Sequence, residues 1–411
     1  MKINARVAWA GHPQTVMLRQ QPVAAPRRVR EALPHVPAHD ADADTAFDIR
    51  CITAECASGH WTGEWRRLLA ASKSPEKIYQ TPEFFRFLND SRSDTSDRFE
   101  LFVITHRDRN KVVGMVPVRL SSAPLAIKAG NLTLATWHPR IVRLLGSVPL
   151  MPDHPALMQT LCAYLLRAFP DYAAVSMQAF PMELQAVLAE GALHRAFVLH
   201  GWRACHTIPL PDDWPAYLAR MSAKKRYNLG RQYRLLEQAA GTLDLQRVDR
   251  SADVRVLVEG LAELEHVADL TPVRARDYRV LAANRLLLSY VLRSADEVIA
   301  VIIGTRYGDT WHVHQILYAP QYRHLSAGAV AVHAALEDVV THFAFASADL
   351  GYGTPRHSFA TTNVLKTRAH ILVARKHSPA RVLLSAYMCY DACHAACVRF
   401  LKPLAQRWRG T

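Results

Sequence analysis

Residues 297–350 most narrow what this chain can fold into. Two long apolar runs, 297–307 and 310–318, are joined at Gly308-Asp309, a turn pair that closes a hairpin. A helical run follows at 327–343, then a short strand at 348–350. The same order of elements occurs earlier. Helices at 61–71 and 82–88 precede strands 100–105 and 111–120, joined by His106-Arg107-Asp108-Arg109-Asn110. A helix at 155–168, a strand at 173–178 and a helix at 181–190 complete that copy. The second copy opens at Pro211-Asp212-Asp213-Trp214-Pro215, a helix-start pattern. Helices at 222–239 and 252–269 flank a strand at 243–248, and a helix at 277–293 leads into the hairpin. A last strand covers 370–375.

This order predicts an α/β fold of two similar domains, 47–208 and 209–378. A poorly ordered leader, 1–46, precedes them, and a helix within 379–411 is an appendage. A chain of 411 residues is too long for one small core, in keeping with that division.

The net charge of +14 favours anionic partners. Seven cysteines without framework spacing argue for a reducing compartment. No secretory pattern and no run near the roughly 20 apolar residues of a membrane span is present. The expectation is a cytoplasmic protein, with peripheral attachment at the inner face of the membrane as a second reading. Cys162 and Cys205 read as core residues. Cys389, Cys393 and Cys397 share one helical face that continues to Phe400 and Leu401; packing is the first reading. With Lys402, Arg407 and Arg409 following, an anionic membrane surface is the second. His312 and His314 would point to one face of a strand, but no further ligands converge, so no metal is expected.

Three segments carry candidate chemistry. The helix after Met221 holds Arg220, Lys224, Lys225, Arg226, Arg231 and Arg234, with no acid until Glu237. Met221, Leu229 and Tyr233 mark its buried stripe, and Lys224, Asn228 and Arg231 share another face. Ser222 is the expected N-cap. A solvated basic face is the plain alternative to a binding helix. The second segment ends a strand at Tyr318 and opens a helix with Ser326, Ala327, Gly328 and Ala329. Small side chains there let backbone N–H groups approach an anion. The third, DLGYGTPRHSFATTN, follows the strand at 348–350 and carries Asp349, Tyr352, Arg356, His357, Ser358 and Asn363.

Together these resemble the GNAT superfamily of acyltransferases, in particular its CelD-like and Fem-like group. The resemblance rests on Trp214, Tyr217, Leu218, Ser222, Lys224, Arg226, Asn228, Leu229, Arg231, Arg234, Leu236 and Glu237. Tyr318, Tyr322, Ser326, Gly328 and the GYGTPRH loop add to it, and it spans about 47–378. It implies two tandem GNAT-like domains with mixed central sheets. It also implies an acyl-CoA such as acetyl-CoA as donor and an amine or hydroxyl acceptor, a small molecule, saccharide or envelope-polymer precursor. In GNAT enzymes the donor pyrophosphate lies on a Q/R-x-x-G-x-G/A turn. Arg323, Leu325, Ser326, Ala327, Gly328, Ala329 and Tyr318 would form it here, with Ser326 in place of the first glycine. Lys224, Arg226, Asn228, Arg231 and Arg356 would bind substrate. His357 or Asp349 would be the base, and Tyr352 or Tyr318 would protonate the leaving thiolate. Alternatives are a Fem-like transferase using aminoacyl-tRNA and a non-catalytic subunit of polysaccharide synthesis.

Overall fold

Residues 46–53, 60–72, 74, 76–90, 97–129, 132–188, 194–265, 271–295, 297–352 and 364–408 are described by the structure, a computed structural model. The expected leader lies outside them, apart from its last residue, as does the loop carrying Arg356, His357, Ser358 and Asn363.

The chain divides into two units at 203/204 and again at 367/368. In the N-terminal unit, β1 (Phe47–Thr53), β2 (Arg98–His106), β3 (Lys111–Ser122) and β6 (Arg140–Leu144) run antiparallel in that order. β7 (Ala174–Pro181) pairs parallel with β6, and β14 (Val364–Arg375) antiparallel with β7. β4 (Leu125–Ala129) and β5 (Leu132–Trp137) form a separate hairpin. On one sheet face, Leu157, Leu161 and Leu165 of α3 (Pro155–Ala168) pack against Val118, Val142 and Val175. Elsewhere in the unit, α1 (His60–Ala71) and α2 (Pro82–Asp90) meet through Trp65 and Phe85, whose rings form an edge contact.

In the second unit the strand order is β8 (His194–Pro209, from residue 204), β13 (Ser347–Tyr352), β12 (Thr310–Tyr318), β11 (Glu297–Tyr307), β10 (Ser289–Ser294) and β9 (Leu243–Val248). All neighbours are antiparallel except β12 and β13. Val330, Ala331, Leu336 and Val339 of α8 (Ala327–His342) bury against Tyr290, Ile302 and Trp311. The alternate residues Val291 and Val301 meet α6 (Val254–Glu265), where a Cβ on Gly260 would lie 3.2 Å from Val301. Asp338 anchors α8, accepting from Arg247 and from the Tyr290 hydroxyl at 2.8 Å.

Each unit thus has a mixed α/β sheet, as the resemblance implied. Several expectations are corrected. The helix expected at 277–293 is α7 (Thr271–Ala283) followed by β10, because SYVLRS is buried on both faces and its apolar run carries no distinguishing period. The helix expected at 181–190 is a 3₁₀ turn, Met182–Leu188. β4, β5, β6 and β8 were not anticipated. Arg368–Thr411 groups with the N-terminal unit, whereas element order placed 368–378 in the second domain and the rest in an appendage. α9 (Pro379–Trp408) buries Leu384 and Tyr387 with Leu125, Phe197, Leu199 and Leu372. Cys162 and Cys205 are buried, but Cys389, Cys393 and Cys397 are exposed, so these three do not pack as expected. No helix among the described residues is long and apolar enough to cross a membrane.

Candidate active site

β12 and β13 share three parallel pairs, Thr310–Ser347, Trp311–Ala348 and His312–Asp349. Beyond them β12 keeps only β11 and β13 only β8 among the described residues. The strands therefore fork toward their C-terminal ends, where α/β sheets place ligands. β12 beyond Val313 is half-buried.

The turn at the mouth of the fork is built by its neighbours. A 3₁₀ turn, Pro320–Leu325, is tied down by Glu297, which accepts from the Tyr322 hydroxyl at 2.7 Å and from the Gln321 amide. Ser326 follows with φ 62° and ψ 34°, the left-handed conformation that favours glycine. The serine replacing the usual glycine thus keeps a glycine's backbone shape. α8 then begins with no acid in its first turn. A Cβ on Gly328 would stand 2.9 Å from Cδ1 of Tyr318, so only glycine lets the helix start lie against β12. Ala327 is buried, Leu325 and Ala329 are half-buried, and Arg323 is exposed. A helix start with small residues and no carboxylate fits a pyrophosphate group.

The basic helix is α5 (Ala223–Ala240), capped by Ser222, whose hydroxyl accepts from Lys225 N–H. Lys224, Asn228 and Arg231 are exposed on it. Arg226 is exposed too, but its guanidinium donates to the carbonyls of Met221 (2.8 Å) and Leu218 (3.3 Å), at the end of α4 (Trp214–Ala219). The inward stripe runs through Lys225, Leu229, Gln232 and Leu236, with Met221 before it; Tyr233, expected inside, faces out. Gln232 Nε2 donates to Ser326 Oγ at 3.3 Å, a direct tie from the basic helix to the turn. Behind it His333 is buried, its pKa pushed down to about 4 by burial and then by Lys225. Burial lowers Lys225 as well.

At the apex of the fork, registered partners place Thr207, Asp349, His312 and Thr305 in one row across the sheet, all buried. The Asp349 carboxylate accepts from Gly351 N–H at 2.8 Å. His314, expected beside His312, sits at a register shift, where a bulge re-aims it to Thr305 Oγ1 at 2.6 Å. Tyr352 pairs with Cys205 of β8 at the end of β13. Among the described residues no cluster could hold a metal ion. The structure brings the turn, Asp349 and α5 into one unit. Gln232, His333 and Thr207 were not singled out from the sequence, and Lys225 was named among the cations of the helix but not as part of its inward stripe. The i, i+7 spacing of Lys225 and Gln232 was the available signal for that stripe.

Residues 223–357 match the family of acetyltransferase (GNAT) domains. No curated protein matches the chain. Among solved structures, FemX is 8% identical, with 79% of this chain and 96% of that one covered and a TM-score of 0.51, a likeness of fold alone. A tandem GNAT protein from the clavulanic acid biosynthesis pathway is 14% identical, covering 80% and 98%, with a TM-score of 0.49. The C-terminal domain of a putative lysylphosphatidylglycerol synthetase from Agrobacterium fabrum is 12% identical, covering 79% and 94%, at 0.47.

Proposed function

Residues 223–357 match the acetyltransferase (GNAT) domain family, and from that match we propose that the chain is a transferase that moves an acyl group from an acyl-CoA to an amine or hydroxyl acceptor. The observation that carries this reading is the turn at the fork, with Ser326 in a glycine's conformation and Gly328 pressed against Tyr318. In this reading Arg323, Leu325, Ser326, Ala327, Gly328 and Ala329 hold the donor's pyrophosphate. The edge of β12 from Tyr318 back to Val313, six residues at about 3.3 Å each, gives an extended arm about 20 Å of backbone to pair with. The bound donor supplies an activated thioester at the apex.

Asp349 lies at that apex, and it is our candidate for taking the proton from the acceptor as its nitrogen or oxygen bonds to the acyl carbon. His357 is the second candidate base, from the loop outside the described residues. Tyr352 or Tyr318 would return a proton to the departing thiolate. Lys224, Asn228, Arg231 and Arg356 would attract an anionic acceptor, while Arg226 serves α5 and α4. A small-molecule or saccharide acceptor in the cytoplasm, or at its membrane face, suits this reading.

The exposed cations of α5 support a second reading, in which the donor is an aminoacyl-tRNA, because a polyanion is held by such a face. The test is to mix the purified chain with acetyl-CoA and a panel of amines and amino sugars, following free thiol and acylated product. A parallel arm supplies charged tRNA. Thiol release coupled to product supports the first reading. Transfer from tRNA alone replaces it with the second, and inactivity of both overturns both.

A further inference from the structure

The N-terminal unit repeats the fork. β6 and β7 share three parallel pairs, Ile141–Ala174, Val142–Val175 and Arg143–Ser176, before α3 and β14 take the places that α8 and β8 hold in the second unit. The third pair corresponds to His312–Asp349. One strand over, Arg119 pairs with Arg143 as Thr305 pairs with His312. Arg143 thus stands where the second unit has His312, and Ser176 where it has Asp349, so this apex carries a cation and no carboxylate of its own.

That arginine is out of balance. Arg143 is only 6% exposed, its Nε has no hydrogen-bond partner, and no ion pair reaches it among the described residues. Its neighbours compensate only in part, the Asp97 charge acting on it without a bond to it. Arg119 engages Asp97 through two bonds to one oxygen. Arg368 has Glu76 at 3.5 Å. His370 sits at a register shift of β14 and shares a 2.8 Å hydrogen bond with Ser176 Oγ. Burial, then Arg143 and His200, hold that ring down to about 3, so it adds no charge at neutral pH. Burial and Arg119 pull Arg143 itself down to about 10, and it stays protonated. Ser121, two residues from Arg119 on the same strand face, has a buried hydroxyl without a partner. An unpaired buried cation is costly, and an incoming anion removes the cost.

We propose that the fork of the N-terminal unit is a binding site for a small oxyanion group, a carboxylate or a phosphate ester, held by the Arg143 guanidinium with the Ser176–His370 pair beside it. A guanidinium presents a planar fork of donors that matches either group. The site does not depend on the donor reading of the second unit.

The test is thermal unfolding of the full chain in sodium phosphate, sodium acetate and sodium chloride at equal ionic strength. Phosphate or acetate should raise the midpoint above chloride, and whichever acts identifies the group as a phosphate ester or a carboxylate. Arg143→Met should unfold at a higher midpoint than wild type in chloride and lose the anion response. It should keep the response to CoA, which separates this site from the donor turn. Arg143→Lys, which keeps the charge without the planar fork, should bind at least fivefold more weakly. No response beyond chloride in wild type, or an undiminished response in either variant, would overturn the proposal. Absence of a CoA response in wild type would count against the donor reading and not against this site.

Discussion

At the residue scale, two side chains decide the turn. Gly328 has no room for a methyl group, because Cδ1 of Tyr318 stands 2.9 Å from where it would go and a ring carbon near the backbone cannot swing clear. Gly328→Ala should therefore cost about 1–3 kcal/mol in a urea titration, by overpacking. Ser326 is the opposite case. A non-glycine residue in the left-handed region costs roughly 1–2 kcal/mol, whereas glycine adds chain entropy of about 0.5–1 and loses the Gln232 bond, worth about 1. These nearly cancel, so Ser326→Gly should change stability by less than about 1 kcal/mol. The substitution of serine for glycine was legible in the sequence. Its left-handed shape was not, since it ends a 3₁₀ turn that is held from another strand, by Glu297.

At the element scale, α5 is where pattern and structure diverge most usefully. Its extent was legible from Ser222 and from the cation run, but its buried face was assigned to Tyr233 instead of Gln232 and Lys225. A polar residue on an inward stripe gives no hydropathy signal; its partner, Ser326, is 94 residues away. The same packing sets a pH dependence. His333 has a folded pKa of about 4, against an unfolded value of about 6.5. Between those values the unfolded chain binds more protons, so stability is full above pH 6.5 and falls as pH drops toward 4. The loss at full titration is on the order of 3 kcal/mol. His333→Gln should flatten the stability profile of the second unit between pH 6.5 and 4, measured by denaturant titration across that window. A profile identical to wild type would contradict the account. β10 and β8 show the limits of periodicity. The first is buried on both faces, and the second is interrupted by His200 and Gly201 at positive φ.

At the scale of the whole molecule, the repeated order of strands, helix and strand was legible, and both forks follow from it. The allocation of the chain's end was not, because Leu384 and Tyr387 find their partners at Leu125, Phe197 and Leu199, far back in sequence. Truncation after residue 378 should therefore unfold the N-terminal unit at a midpoint several degrees lower, since each large apolar side chain exposed removes about 1.5–3 kcal/mol. An appendage would leave the midpoint unchanged, which differential scanning calorimetry would show. The central claim is that the turn at Ser326–Gly328 holds the donor of a transferase. Calorimetric titration of acetyl-CoA into wild type and Gly328→Ala at fixed ionic strength tests it most directly. Saturable one-site binding in wild type, weakened tenfold or more in folded Gly328→Ala, is the expected result. No binding in wild type, or equal affinity in the two proteins, would contradict it.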